Sequence, residues 1–561
     1  MDANRNQRWS RLIAEELRRG GIRRAVLCPG SRNSPLLAAL AAVFGDTACT
    51  SHVDERSAGF LALGMARSGV PAAVCVTSGS ALANLLPAVA EAHAGGWPLV
   101  VVSADRPWEL HGCGAPQAMP QAGILRPFLA GELALGEPGD GAGELRALRA
   151  RVARLAQVRG GPVHLNAPLR DPLPSLPDPA WAPPAIDDEL LHGRGDRPWT
   201  TCWRPGDPLP AWAVPGVRGV IVAGPAAARD PGAVQWLGAA TGWPILADAA
   251  SGLRTPDTPG LVCLGDALAG QPPAQPDLIV VAGDMPLARS LYEWVERHPG
   301  PLTVLEAGGD RDFLHRAAWA APLAAGAEAL ARTCAGGDGA HAQAWLAAEA
   351  AGQGRLAAAL AAEPWGANPV AAAACRAPAA RLVVANSMAV RLANLHAGPA
   401  VRTVVANRGL NGIDGQLATA LGTVLADPRP TVLLVGDLAF LHDLPALAVR
   451  VTAPLAIVLV DNGGGGIFDF LAVAKAPGFR PWVRAGSPLA VEPAAAAFAA
   501  AYRLFNDDGM ALDPLRDLET AIGQALATPG VTILHARVPE DGTAQHRRLL
   551  AAAAGRAAVG G

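Results

Sequence analysis

Apolar runs of strand length alternate with helix-length stretches along most of the chain, and this alternation most restricts its fold. In the first block the runs are Ala25–Cys28, Ala72–Val76, Leu99–Ser103 and Val163–Leu165, with helix-like patterns at 35–44, 54–68 and 79–95. Strands that alternate with helices imply a parallel sheet covered on both faces. A second series has runs at Gly219–Ala223, Leu278–Ala282 and Leu302–Leu305. A third has Leu382–Ala385, Val401–Val405, Val432–Val435, Leu455–Val460 and Val531–His535. Between the series lie DPLPSLPDPAWAPPAI (171–186), too rich in proline for a helix or central strand, and CAGGDGAHA (334–342). The expected fold is α/β, with three open, doubly wound parallel-sheet domains at 1–175, 176–340 and 341–561. A length of 561 residues fits about three domains.

Composition narrows the function classes. The net charge is −3, no basic stripe stands out, and Lys475 is the single lysine, so nucleic acid is not an expected partner. The eight cysteines form no C-x-x-C pair, which argues against a zinc knuckle or redox motif. The N-terminal stretch reads as an amphipathic helix rather than a signal peptide, and no apolar run reaches the roughly 18 residues of a membrane span. A reduced, cytoplasmic enzyme is expected. VAGPAAARDPG in the second series is a poor dinucleotide fingerprint.

The segment LVDNGGGGIF (459–468) needs a reason for four consecutive glycines, the residue with most backbone freedom to lose. Asn462 ends a predicted strand, and so does Asp437 in TVLLVGDLAF. They are 25 residues apart, one strand–helix–strand unit. Adjacent parallel strand ends lie about 4.8 Å apart. An Asp and an Asn there offer hard oxygens suited to Mg²⁺, and glycines let backbone N–H groups approach a phosphate. A plain glycine-rich turn would explain DNGGGG alone; the spacing to Asp437 favours the metal reading.

Gly436-Asp437-Leu438 followed by Asp461-Asn462 resembles the thiamin-diphosphate motif, with two departures. Leu438 stands where a second glycine is usual, and Asp461 where the first asparagine is usual. The resemblance implies Asp437, Asn462 and the Gly464 carbonyl as metal ligands, with Gly436, Leu438 and Ile467 beside the cofactor. It implies Mg²⁺, with Mn²⁺ as the alternative ion. HVDERSAGFLALG (52–64) places Glu55 as the carboxylate required against N1′ of the aminopyrimidine. Taken alone, Glu55 would read as a first-turn glutamate favoured by the helix dipole.

CPGSRNSPL (28–36), TSGSALANLLPAVAEA (77–92), SADRP (103–107), ANSMAVR (385–391) and NRGLNGIDG (407–415) extend the likeness. Over nearly its whole length the chain resembles the menaquinone-pathway synthases that make 2-succinyl-5-enolpyruvyl-6-hydroxy-3-cyclohexene-1-carboxylate. The resemblance implies decarboxylation of 2-oxoglutarate and 1,4-addition of the remaining unit to isochorismate. Both substrates carry two carboxylates, which suits a pocket rich in arginine. Ser31, Arg32, Arg106 and Gln117 match isochorismate contacts, Arg289 more weakly because lysine is frequent there. Ser387, Arg391 and Arg408 match the 2-oxoglutarate contacts, and Ser387 and Arg391 are expected on one helix face. Ser34 is expected to cap the helix that begins at Pro35. Ile413 matches the residue that bends the cofactor, and Ile467, Phe468 and Leu471 would wall the pocket. Asp469 replaces a frequent serine. His93, His111, His164 and His442 read as core or surface residues.

The resemblance further implies a homodimer, or a dimer of dimers, with the site across the interface. Two alternatives remain open at this stage: another 2-oxoacid decarboxylase or acetolactate-synthase-like carboligase, and a catalytically dead thiamin-binding scaffold.

Overall fold

The computed structural model describes residues 2–67, 70–158, 160–173, 178–179, 181–307, 310–337, 339–476, 478, 491–498, 501–506 and 513–556. They form two compact units, Met1–Trp203 with Asp312–Ala320, and Arg204–Arg311 with Ala321–Gly561.

In the first unit β1 (Arg24–Leu27), β2 (Cys49–Ser51), β3 (Ala72–Val76), β4 (Leu99–Asp105), β5 (Gly131–Ala134) and β6 (Val163–Pro168) make one sheet, in the order β2-β1-β3-β4-β6-β5. Every pairing in it is parallel. β3 and β4 are buried along their whole length, as a sheet covered on both faces requires. A short strand, β7 (Thr201–Cys202), pairs with the start of β13 (Trp319–Pro322).

The second unit holds two parallel arrays. β8 (Gly219–Ala223), β9 (Ile245–Ala247), β10 (Leu261–Val262), β11 (Leu278–Ala282) and β12 (Leu302–Glu306) lie in the order β10-β9-β8-β11-β12. β14 (Arg381–Val384), β15 (Thr403–Ala406), β16 (Thr431–Gly436), β17 (Leu455–Asp461), β18 (Ala501–Phe505) and β19 (Val531–Arg537) lie in the order β15-β14-β16-β17-β19-β18. This is the winding of the first sheet repeated. Order reverses beside the first strand of each, between β1 and β3 and between β14 and β16. In open α/β sheets that is where ligands bind, beyond the carboxyl ends.

Each expected strand is present within one or two residues, except that β6 runs three residues past the expected Leu165. Four helix expectations need correction. The stretch 79–95 is two helices, Ser80–Ala83 and Leu86–Gly95, because Pro87 cannot continue the first. Asn33, not Ser34, precedes Ser34–Phe44, and its side chain donates to the Cys28 carbonyl at 2.9 Å instead of capping. A helix, Gly339–Ala362, starts inside the expected linker at 334–342. Ser387 is not on the helix face with Arg391; it precedes Met388–His396 with φ 66°. Among the described residues no helix is long and apolar enough to cross a membrane.

The first unit is pinned by a buried charge cluster. Arg149, on helix Ala142–Ala156, bonds Glu16 at 2.6 Å and Glu15 at 2.8 Å on helix Arg5–Arg19, and donates to the Leu190 and Leu191 carbonyls. Arg149 and Glu16 are fully buried. Removing one member of such a cluster strands the others, so Arg149→Leu is expected to destabilise this unit by about 3–5 kcal/mol. Urea unfolding should show the loss; an unchanged transition would contradict it.

Candidate active site

β16 and β17 are immediate neighbours, with Gly436 opposite Val460, so Asp437 and Asn462 emerge side by side. Asp437 is 5% exposed. Its Oδ1 accepts the Leu438 N–H at 2.6 Å, and its Oδ2 accepts those of Asn462 at 3.1 Å and Gly464 at 2.8 Å. Burial pushes the carboxyl up to about 6, against these three N–H groups and reinforced by Asp461.

The glycine run now has a structural reason. Gly463, Gly464 and Gly465 have φ of 78°, 84° and 66°, a region that side chains disfavour. Gly466 is needed for space: a Cβ there would lie 2.5 Å from Asn462 Nδ2. The turn folds back to Asp437 through the Asn462 and Gly464 N–H groups. A carboxylate, an amide oxygen and a backbone carbonyl are the hard oxygen donors that would suit Mg²⁺ completed by phosphate and water. No cluster of three His, Cys, Asp or Glu able to hold a metal occurs among the described residues.

Above this turn lies a cavity of about 160 Å³ at the reversal between β14 and β16. Ser387, Ile413, Leu438, Asn462, Ile467 and Phe468 are among its lining residues. Leu438, one of the departures, packs against Gly464, 3.3 Å from where a Cβ would stand. Leu471 is not in the lining and is 47% exposed. Thr543, which the sequence did not single out, lines the cavity and donates to the Gly466 carbonyl at 2.8 Å.

Two guanidiniums attach to residues of this lining. Arg391 Nη1 donates to the Ser387 carbonyl at 2.8 Å, and Arg408 Nη1 donates to Asn386 Oδ1 at 2.6 Å. Burial holds both below the usual arginine range, and Arg408 adds to the effect on Arg391. Arg408 Nε is buried without a hydrogen-bond partner among the described residues. Acidic groups that sequence reasoning missed act on them: Asp266 on Arg391, Asp248 and Asp284 on Arg408, and Tyr292 on both. Asp248 follows β9 and Asp284 follows β11 closely, a strand-end position that would have flagged them. Asn394 joins these segments, donating to Asp266 at 2.5 Å and accepting from the Ala249 N–H and from Arg254 at 2.9 Å. Arg289 stands apart: its side chain is 90% exposed and paired with Glu293.

In the first unit Glu55 opens helix Glu55–Arg67. Asp54 does the capping, accepting from the Arg56 N–H at 3.0 Å and from Ser57 Oγ at 3.0 Å. Glu55 therefore has no capping task, and its Oε2 accepts from Asn84 Nδ2 at 3.2 Å. Arg32 and Arg106 come together beyond β1 and β4. Arg32 is buried and donates to the Leu169 carbonyl at 2.8 Å. Arg106 reaches the Pro116 carbonyl and Gln117 Oε1, and is lowered by burial and by Arg32. Gln117 has φ 55°, and Ser31 is exposed.

Comparison with known proteins agrees with this layout. Residues 7–124 match the thiamine pyrophosphate enzyme N-terminal TPP binding domain, and 386–536 match the C-terminal TPP binding domain. The chain is 39% identical to the 2-succinyl-5-enolpyruvyl-6-hydroxy-3-cyclohexene-1-carboxylate synthase of Myxococcus xanthus, over 98% of both chains. It is 36% identical to that of Synechococcus elongatus, over 98% of this chain and 96% of the relative. It is 37% identical to that of Halobacterium salinarum, over 97% of both.

The missed carboxylates make a stability prediction. Burial, reinforced by Asp248 and opposed by Asn394, pushes Asp266 up to about 6 from 3.8. A raised acid favours the protonated native state, so its stabilisation is complete below the unfolded value and is lost as pH rises through about 6. Asp266→Asn stays neutral throughout. It should exceed the wild type in stability by about 3 kcal/mol above pH ~7, with the gap narrowing towards pH ~5. Urea midpoints across that range test this; a gap independent of pH would contradict it.

Proposed function

The chain belongs to the 2-succinyl-5-enolpyruvyl-6-hydroxy-3-cyclohexene-1-carboxylate synthase family of thiamin-diphosphate enzymes, and on that premise we propose how its residues divide the reaction. The substrates are 2-oxoglutarate, which loses carbon dioxide, and isochorismate, which accepts the remaining four-carbon unit by 1,4-addition, in menaquinone biosynthesis. The observation that carries this reading is the pair of half-buried guanidiniums, Arg391 and Arg408, each bonded to a residue lining the cavity above Asp437. Two fixed cations suit a dicarboxylate better than a monocarboxylate.

Asp437, Asn462 and the Gly464 carbonyl would hold Mg²⁺, or Mn²⁺, for the diphosphate. Glu55 would hold the proton that sets the aminopyrimidine tautomer. Ile413 would pack against the cofactor, and Ile467 and Phe468 would exclude water from the cavity. When bound, thiamin diphosphate supplies the electron sink for the pair released with carbon dioxide. Arg391, Arg408 and Ser387 orient 2-oxoglutarate, while Ser31, Arg32, Arg106 and Gln117 orient isochorismate. Arg289, exposed and paired with Glu293, matches the isochorismate contacts more weakly.

Glu55 and Asp437 lie in different packing units, and we assign the complete site to a homodimer, or dimer of dimers, in which a second copy completes it. Eight cysteines, all free, fit a reducing cytoplasm.

The two subsites separate experimentally. A charge-assisted bond is worth roughly 1.5–3 kcal/mol, or about 10- to 150-fold in affinity. Arg391→Ala or Arg408→Ala should slow single-turnover release of carbon dioxide from carboxyl-labelled 2-oxoglutarate without isochorismate. Arg106→Ala should leave that release intact and raise KM for isochorismate. Equal slowing by Arg106→Ala would refute the division.

A further inference from the structure

Asp461, the departure next to Asn462, has a defined structural partner. Its Oδ1 accepts the Gly463 N–H at 3.2 Å, and its Oδ2 lies 2.9 Å from His535 Nε2. His535 is fully buried on β19, the strand beside β17. Its Nδ1 lies 2.8 Å from Tyr502 Oη on β18, the next strand across. Three adjacent strands thus contribute one side chain each to a line that ends at the glycine turn.

Hydrogen-bond roles along this line are determined by its two ends. An ionised carboxylate only accepts, so His535 Nε2 carries the hydrogen. With the Nε2 hydrogen committed to Asp461, Nδ1 accepts from the Tyr502 O–H. Burial, with Glu492 adding to it, pushes the Tyr502 hydroxyl up to about 12, so the donor keeps its proton. Every polar atom of the imidazole is used, as a fully buried histidine requires.

We propose that His535, braced by Tyr502, is a positioning residue for the cofactor turn. It locks the Asp461 carboxylate onto the Gly463 N–H and so sets the left-handed path of Gly463–Gly465 that presents Asn462 and the Gly464 carbonyl. The proposal rests on the metal-binding role given to those two groups above. It also explains the aspartate: histidine on the neighbouring strand supplies a donor that a carboxylate can use with both oxygens engaged.

The test is calorimetric titration of thiamin diphosphate into the cofactor-free protein at graded Mg²⁺ concentrations. The variants are His535→Leu, Tyr502→Phe, Asp461→Asn and the double variant Asp461→Asn/His535→Leu. His535→Leu should weaken Mg²⁺-dependent binding roughly tenfold, the scale of losing a partner behind a metal ligand. Tyr502→Phe, which removes one hydroxyl and leaves the core filled, should act in the same direction by a smaller factor. In the Asp461→Asn background most of the His535→Leu effect should vanish. Equal losses in both backgrounds, or no loss in either single variant, would overturn the proposal. Imidazole nitrogen shifts in the cofactor-free protein test the brace apart from the metal. Protonated Nε2 and acceptor Nδ1 are expected; the reverse tautomer overturns the brace even where Mg²⁺ binds normally. If that tautomer is present and the wild type shows no Mg²⁺-dependent cofactor binding, the metal assignment falls, and with it the purpose given to the brace.

Discussion

The Asp437 carboxylate ties the turn after β17 back to the end of the neighbouring strand β16. It sits almost wholly out of water and is held by three backbone N–H groups, one from its own helix start and two from the turn after β17. That arrangement works only if the turn can double back, and three successive left-handed residues make it do so. Four glycines are costly in conformational entropy. They are concentrated where the backbone must both curl and leave room for Asn462.

The same winding appears in the first and third sheets, and functional side chains follow it. In each, the segment after the first strand carries a serine and a cation or amide at the reversal: Ser31 and Arg32 after β1, Asn386 and Ser387 after β14. The position comes from topology and the chemistry from the side chains placed there. In the third sheet Ser387 takes a positive φ and presents its carbonyl to Arg391. Arg408 instead reaches Asn386, whose amide is tied to the Asn407 and Gly412 carbonyls. The two guanidiniums are thereby aimed by groups already fixed. The acidic residues after β9 and β11 offset charges that burial would otherwise make expensive.

The central strands and the glycine turn against Asp437 were legible because their signals are local: an apolar run, a glycine cluster, an acid one βαβ unit upstream. β5, β7, β9, β10, β13 and β18 escaped notice, being short or, as in AYRLF, half-exposed edge strands without a continuous apolar run. Asp248, Asp266 and Asp284 were missed because their significance lies in facing arginines more than a hundred residues away. Periodicity cannot report such a contact. His535 was passed over for the same reason: inside VTILHAR it reads as a core residue, and only the pairing of β19 with β17 sets it against Asp461. Pro87 was visible in the sequence, yet its position inside an apolar helical pattern masked the break it makes.

The central claim is that Asp437 serves as a metal anchor rather than only as a structural cross-link. Asp437→Asn separates the two, since the amide keeps the size and one acceptor oxygen but removes the charge. Thiamin diphosphate titrated with and without Mg²⁺, alongside urea unfolding, measures both properties on the same protein. The account predicts loss of Mg²⁺-dependent cofactor binding while the protein still folds cooperatively, its stability lowered by the N–H bonds that the amide cannot accept. Wild-type cofactor affinity in Asp437→Asn would contradict it.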